Sequence, residues 1–113
     1  MLVDVKKVQI CVTAPPENIE EIRKAMCDAG AGNLGNYSYC SISVKNVGTF
    51  MPNKNANPYI GKTEKIEYVE EESLEIFCEV DKVKQVVKAI RKVHPYEEPA
   101  IIIIPIIDES EFN

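Results

Sequence analysis

The sequence lacks several features that mark common functional classes. Its four cysteines form no C-x-x-C pair, which disfavours a zinc ribbon and a thioredoxin-type redox site. No apolar run approaches the roughly 18 residues that a membrane helix needs. Asp4, Lys6 and Lys7 interrupt the N-terminal segment where a signal peptide would be apolar. We therefore expect a cytoplasmic protein without membrane contacts.

Phosphate-binding and histidine-rich signatures are also scarce. There is no P-loop, and the glycine-rich stretch 30–35 follows a predicted helix, whereas phosphates bind where a helix begins. His94 is the only histidine. A zinc site would therefore have to recruit carboxylates, cysteines or a neighbouring subunit.

The composition is that of an ordinary globular protein. Hydrophobic residues make up 45% of the 113 positions and charged residues 27%, with a formal net charge of −5. The length predicts one domain over 1–113, with a polar tail at 108–113. Every cysteine lies in an apolar-patterned segment, so we predict four free thiols that act as small hydrophobic side chains.

Hydrophobic periodicity predicts four strands and two helices. In chain order, the predicted elements are a strand at about 3–13, a helix at 16–29, a strand at 37–47, a loop at 48–63, a strand at 65–80, a helix at 83–93 and a strand at 100–107. The order β-α-β-β-α-β predicts a ferredoxin-like α+β sandwich, with both helices on one face of a four-stranded antiparallel sheet.

The last predicted strand suggests self-association. The usual strand order of this topology, 4-1-3-2, places that strand at an edge, and residues 101–104 are all isoleucine. An edge that is apolar on both faces is prone to aggregation unless something covers it. The open face of the sheet is predicted to carry Cys11, Tyr37, Tyr39 and Phe77. We therefore expect a homo-oligomer that packs through the open face.

Three segments together resemble a known family. They are GAGNLGNYSYCS at 30–41, GTFMPNKNANPYIG at 48–61 and HPYEEPA at 94–100. From about residue 6 to 107, the chain resembles the small PII-like, CutA-like domain inserted in YqfO-type members of the Nif-three-like family, a domain that also occurs as a stand-alone protein. The resemblance implies a non-enzymatic subunit that forms trimers. It transfers no catalytic or metal-binding residue, because the di-metal centre of that family is built from other domains.

The same segments supply the candidate site residues. The ligand or interface candidates are Tyr37, Cys40, Thr49, Phe50, Asn57, Pro58 and Tyr96. By resemblance, the long loop at 48–63 lies where PII proteins contact partners. Three lysines give the stretch 45–62 a charge of +3 without an acid, which would attract an anionic ligand.

The HPYEEP turn has two interpretations. His94, Glu97 and Glu98 would form part of a divalent-metal site, since imidazole and carboxylates are common metal ligands. Alternatively, Pro95 and Pro99 fix a turn that His94 and Tyr96 anchor through hydrogen bonds. We favour the structural interpretation, and catalysis by this cluster is the least favoured.

Charge patterns argue against nucleic-acid binding. Seven glutamates crowd the segment 64–79, which we interpret as a solvated face, whereas an RNA-recognition sheet needs aromatic and basic residues there. The basic residues of the second helix are interpreted as its solvent face. The sequence thus predicts a non-enzymatic module that binds a small ligand or a protein partner through the 48–63 loop and subunit boundaries. The alternatives are a divalent-metal-binding protein and a structural accessory of a Nif-three-like protein, and no cofactor is certain.

Overall fold

The computed structural model describes residues 4–113. Its main elements are strand β1 (Lys7–Ala14), helix α1 (Ile19–Asp28), strands β2 (Ile42–Phe50) and β3 (Glu67–Glu79), helix α2 (Val83–Val93) and strand β4 (Ile101–Ile106). Short 3-10 turns lie at Pro16–Asn18, Val80–Lys82 and Glu109–Phe112. The strands form one antiparallel sheet in the order β2-β3-β1-β4. The ferredoxin-like fold and its strand order are thereby confirmed.

Alternation along β1 builds the core between the sheet and the helices. Val8, Ile10 and Val12 are buried, and each stands opposite a buried residue of β3 in the register Val8↔Cys78, Ile10↔Ile76 and Val12↔Leu74. The fully buried helix residues in the same core cluster are Ile19, Ile22 and Met26 of α1 and Val86 and Ile90 of α2. Period-two strands packed against period-3.6 helices therefore produce one apolar layer.

The second strand starts later than the periodicity of the sequence predicts. The segment 37–41 lies outside the sheet, because Leu34 and Tyr37 exchange two backbone hydrogen bonds of 2.9 Å around a tight turn. Tyr39 then adopts a left-handed conformation with φ of 57°, and pairing with β3 begins only at Ile42. The prediction that Tyr37 and Tyr39 lie on the open sheet face is therefore wrong.

The other element boundaries differ by a few residues. The first strand starts at Lys7, and residue 3, where we predicted its start, lies outside the described residues. Strand β2 continues to Phe50, so the connection to β3 is 51–66 rather than 48–63. Within residues 4–113, all four cysteines are free thiols, and none of the helices is long and apolar enough to cross a membrane.

Strand β3 is longer than its central neighbour, and this creates an arm. Strand β1 ends at Ala14, opposite Glu72, whereas β3 begins at Glu67 and keeps pairing with β2 along that whole stretch. Past the end of β1, residues 46–50 of β2 stay paired with residues 67–71 of β3. These paired residues and the connection 51–66 are together called the arm below. Because the arm has no third strand, the chain between α2 and β4 can pack beside it.

Candidate functional site

A cavity of about 410 Å³ lies between the arm and the turn that follows α2. The arm contributes Thr49, Phe50 and residues of the connection, and the turn contributes Tyr96 and two glutamates. Thr13, at the end of β1, lines the cavity as well. A volume of this size suits a small ligand, since such pockets usually measure about 300–1,000 Å³.

Glu71 lines the cavity, one residue beyond the last β3 position that pairs with β1. Its side chain is buried, with 8% of the residue exposed. The Tyr96 hydroxyl donates a 2.7 Å hydrogen bond to Glu71 Oε2. Burial, followed by this hydrogen bond to a carboxylate, raises the pKa of Tyr96 far above its usual value, so the phenol keeps its proton.

Gly48 makes room for that carboxylate. A Cβ at position 48 would lie 2.2 Å from Glu71 Oε1, which is far inside any permitted contact. Gly48 pairs with Val69 and Asn46 with Glu71, so Gly48 and Glu71 project from the same face of neighbouring strands. The buried position of Glu71 thus depends on a glycine at residue 48.

His94 fixes the turn to the end of β1. The Tyr96 backbone N–H donates to His94 Nδ1 at 3.1 Å, so Nδ1 carries no proton. The proton therefore resides on Nε2, which donates to the Thr13 carbonyl at 2.8 Å. Burial lowers the pKa of His94, although the Thr13 carbonyl opposes this effect. The imidazole is accordingly neutral, and both of its nitrogens are already engaged.

The connection 51–66 is held against the turn by two contacts. The Asn57 backbone N–H donates to Glu97 Oε2 at 3.1 Å. The rings of Tyr59 and Tyr96 meet edge to face, with centroids 6.2 Å apart. These contacts fasten the connection to the turn.

The structure brings most of the candidate residues together. Those that line the cavity are Thr49, Phe50, Pro58, Tyr96, Glu97 and Glu98. Asn57 touches the turn through its backbone. Tyr37 and Cys40 lie in the connector between α1 and β2 and do not line the cavity.

The cavity carries an acidic lining. Glu71, Glu97 and Glu98 all line it, and the lining contains no lysine, arginine or histidine. The three lysines that we expected to attract an anion, Lys45, Lys54 and Lys62, are absent from that lining. The side chains at the site therefore do not favour an anionic ligand.

The metal candidates are not arranged as a ligand set. His94 does not line the cavity, whereas Glu97 and Glu98 do. Across residues 4–113, no three histidine, cysteine, aspartate or glutamate residues stand close enough to hold a metal ion. A metal on His94 would also replace one of the two hydrogen bonds that fix the turn.

Glu71 is the residue that the sequence did not single out. We interpreted it as one of seven glutamates on a solvated face, and the structure buries it instead. Strand alternation with Leu74 and Ile76 places position 71 on the face away from the helices. The missing information was that the HPYEEP turn covers this end of the sheet, which no local pattern indicates.

The open face of the sheet carries a second candidate surface. Its exposed apolar side chains, called the open-face patch below, are Ile42, Val44, Phe77, Ile102 and Ile104. The register places Cys11 between Glu75 and Ile102 on the same face. The predicted positions of Cys11 and Phe77 on this face are therefore confirmed.

The chain is similar to several known proteins. Residues 59–112 match the family model described as CutA1 divalent ion tolerance protein. A Halalkalibacterium halodurans protein named GTP cyclohydrolase 1 type 2 homolog is 42% identical over 103 residues, which cover 91% of this chain and 28% of that protein. The chain thus spans just over a quarter of the length of this curated relative.

Solved structures extend the comparison. A Bacillus cereus protein related to NIF3 has a TM-score of 0.81 and 34% identity, covering 95% of this chain and 27% of that one. The CutA structure from Archaeoglobus fulgidus, described as a periplasmic divalent cation tolerance protein, has a TM-score of 0.69 and 24% identity, covering 94% and 90%. The second likeness shows the fold alone. Together these matches confirm the resemblance inferred from the sequence.

Proposed function

Because the chain is a PII/CutA-like domain, similar to one part of the longer NIF3-related proteins, we propose that it is a non-enzymatic binding module that assembles as a homotrimer. The single observation that carries the binding role is the cavity between the arm and the turn. Its walls combine apolar and aromatic side chains with a few polar groups, as small-molecule sites usually do.

The open-face patch supports the proposed assembly. It displays five large apolar side chains on one sheet face, two of them on the edge strand β4. Gln9 and Glu75 lie between these side chains on the same face. The apolar edge strand nevertheless needs a cover, because an uncovered apolar edge is prone to aggregation. A second copy of the same patch supplies that cover, and the resemblance to PII and CutA proteins favours three copies.

Substitutions on opposite faces of the sheet test the assembly. Ile102→Lys places a charge in the open-face patch and should convert a trimer into smaller species, because a buried lysine would have no partner. Val47→Lys is the matched control, since Val47 is an exposed apolar strand residue on the other face of the sheet. Light scattering that gives a monomer for the unsubstituted protein would refute the trimer.

Filling the cavity tests the binding role. Ala100 lines the cavity, so Ala100→Trp should block it. The control variant is Thr63→Trp, because Thr63 lies in the arm but does not line the cavity. A screen of small-molecule classes by thermal shift should find compounds that stabilise the protein and the control but not Ala100→Trp. Stabilisation by a ligand at about 100 times its Kd amounts to about 2.7 kcal/mol. Equal responses of all three proteins would refute binding in the cavity, and complete silence would favour a purely structural accessory.

The state of His94 supports a module without catalysis. The only imidazole of the chain, that of His94, is neutral. It donates one hydrogen bond and accepts another, and the accepted bond would have to break before the ring could act as a base. We therefore expect no consumption of GTP by this chain, although curated relatives carry the name GTP cyclohydrolase 1 type 2 homolog. Chromatography of GTP incubated with the purified protein checks this expectation.

Divalent-metal binding is the second candidate function. The matching family model is described as a divalent ion tolerance protein, and three carboxylates line the cavity. On this alternative, Glu97 and Glu98 would contribute, whereas His94 would stay on Thr13. Titration with zinc or manganese, with and without Glu98→Gln, distinguishes this candidate from an organic ligand.

A cytoplasmic location remains our prediction. It rests on the free thiols, and one structural neighbour is described as periplasmic. Cell fractionation with an antibody against the chain tests it.

A further inference from the structure

Glu71 presents a buried charge without a positive partner. Only 8% of the residue is exposed, and one carboxylate oxygen, Oε2, accepts from Tyr96. In the part of the chain that the structure describes, Oε1 has no hydrogen-bond partner, and none of the salt bridges involves Glu71. Buried carboxylates are normally paired with a cation, because transfer of an isolated charge from water is costly.

The residues around Glu71 do not supply that cation. The imidazole of His94 is neutral, because one of its nitrogens accepts a hydrogen bond and the other donates one. The lining of the cavity includes no lysine or arginine. Two further carboxylates, Glu97 and Glu98, line the same cavity. The acidic lining of the cavity is thus complementary to a positively charged occupant.

The remaining walls select among cations. Phe50, Tyr59 and Tyr96 line the cavity with aromatic rings, which attract organic cations through the negative faces of their π-systems. Magnesium and calcium prefer a shell of about six or more oxygen ligands, which aromatic walls cannot provide. Zinc is normally held by about four nitrogen, sulfur or oxygen ligands. Within residues 4–113, no three histidine, cysteine, aspartate or glutamate residues are close enough to supply them. Nucleotides and other anions would be repelled by the three carboxylates.

We infer that the cavity takes a small organic cation, such as an alkylammonium or quaternary ammonium compound, with its charge at Glu71 and its carbon atoms against Phe50, Tyr59 and Tyr96. This inference rests on the proposed function, because it names the ligand class of the same cavity. It accounts for the buried acid, the aromatic rings and the absence of basic residues from the lining in one arrangement.

Calorimetric titration of the assembled protein at low salt tests the ligand class. The probes are 1,4-diaminobutane and tetramethylammonium, compared with 1,4-butanediol as a neutral compound of similar shape and with magnesium and zinc at equal ionic strength. We expect the two ammonium compounds to bind and the diol and metals to bind at least about tenfold more weakly, because a charged partner for a buried acid is worth that much or more.

Two neighbouring glutamates provide a matched pair of variants. Glu71→Gln keeps an acceptor for Tyr96 but removes the buried charge, and it should weaken ammonium binding by about tenfold or more. Glu70→Gln makes the same change of net charge at an exposed position, and it should change the affinity less than twofold. If Glu71→Gln does not fold, Tyr59→Leu replaces it, with Tyr37→Leu as its control outside the cavity, and the same contrast is expected.

The outcomes separate this inference from the proposed function. Tighter binding of the diol, or an equal effect of Glu70→Gln and Glu71→Gln, overturns the cation inference. So does a response to zinc or magnesium in place of the ammonium compounds. In each case the cavity still binds a ligand if Ala100→Trp abolishes the signal. A signal that survives Ala100→Trp refutes the proposed function itself.

Discussion

The body of the sandwich and its arm are held by different kinds of interaction. In the body, fully buried residues such as Ile10 of β1 and Ile22 of α1 form one apolar layer. The arm is a two-stranded extension whose packing against the turn depends on the Tyr96–Glu71 and Asn57–Glu97 hydrogen bonds. Apolar burial is insensitive to direction, whereas hydrogen bonds require definite atoms at definite distances. The arm should therefore be sensitive to single polar or steric changes that the body would tolerate.

The largest expected effect lies in the body. Ile10→Ala removes a side chain with no exposed surface from the centre of the core, and we expect the free energy of unfolding to fall by about 2–5 kcal/mol. Chemical denaturation measures the loss, and amide hydrogen exchange should show faster exchange throughout the sheet. The exposed residue Val47 is the control, since Val47→Ala should change stability by less than about 0.5 kcal/mol.

A substitution at Gly48 should disturb the arm and spare the body. Gly48→Val places atoms where the Glu71 carboxylate lies, so the acid must leave its position beside Tyr96. Overpacking of this kind costs about 1–3 kcal/mol. Hydrogen exchange should accelerate in 46–71 and stay unchanged in α1, while the Tyr96 phenol should titrate at a lower pH than in the unsubstituted protein. Unchanged titration of Tyr96 would contradict this account.

His94→Ala tests the junction between the two regions. The substitution leaves the Thr13 carbonyl and the Tyr96 N–H without their partners, and we expect a loss of about 1–3 kcal/mol. The loss should be the same with chelator and with added zinc or manganese, because both ring nitrogens already serve the turn. A loss seen only in the presence of metal would contradict this account and would make His94 itself a metal ligand.

The smallest effect is a pH dependence that His94 should contribute. Because burial lowers the pKa of His94 below 6.5 in the folded protein, the unfolded chain binds the proton first as the pH falls. The free energy of unfolding is therefore not reduced by His94 above about pH 6.5. It decreases as the pH falls below that value, and the decrease ends once the pH is below the pKa of His94 in the folded protein. Denaturation at pH 7.5, 6 and 5 should show this decrease in the unsubstituted protein. The decrease should be smaller in His94→Ala, and equal slopes would show that another group is responsible.

The body could be predicted largely from the sequence, because the spacing of apolar residues within an element indicates which of its faces is buried. Alternation through Val8, Ile10 and Val12, and helical spacing through Ile22 and Val86, correctly place one face of β1, α1 and α2 in the core. Strand β2 has no buried side chain, so its alternation gave no such guide. The strand order follows from the topology alone. The predicted start of β2 is too early, because the alternating pattern of residues 37–41 resembles a strand. In the structure, the tight turn at 34–37 and the left-handed Tyr39 keep these residues out of the sheet.

The cavity could be predicted only in part. The resemblance pointed to Phe50, Pro58 and Tyr96, and all three residues line the cavity. Glu71 was missed, because its burial depends on a segment 25 residues later in the chain and on the absence of a side chain at Gly48. Contacts of this length depend on the whole fold, so a local pattern of charges cannot reveal them.

The pairing of the first and last strands has a consequence for how such a domain can be joined to other proteins. Lys7 at the start of β1 stands opposite Ile106 at the end of β4, and an ion pair of 3.7 Å joins Lys7 to Asp108. A domain whose first and last strands are neighbours can be inserted into a surface loop of a host protein without moving the two ends of that loop apart. Similar domains that occupy about a quarter of a longer relative are compatible with this geometry. The same adjacency predicts that a short linker between the two ends would allow new termini to be opened in the connection 51–66 with the sheet intact.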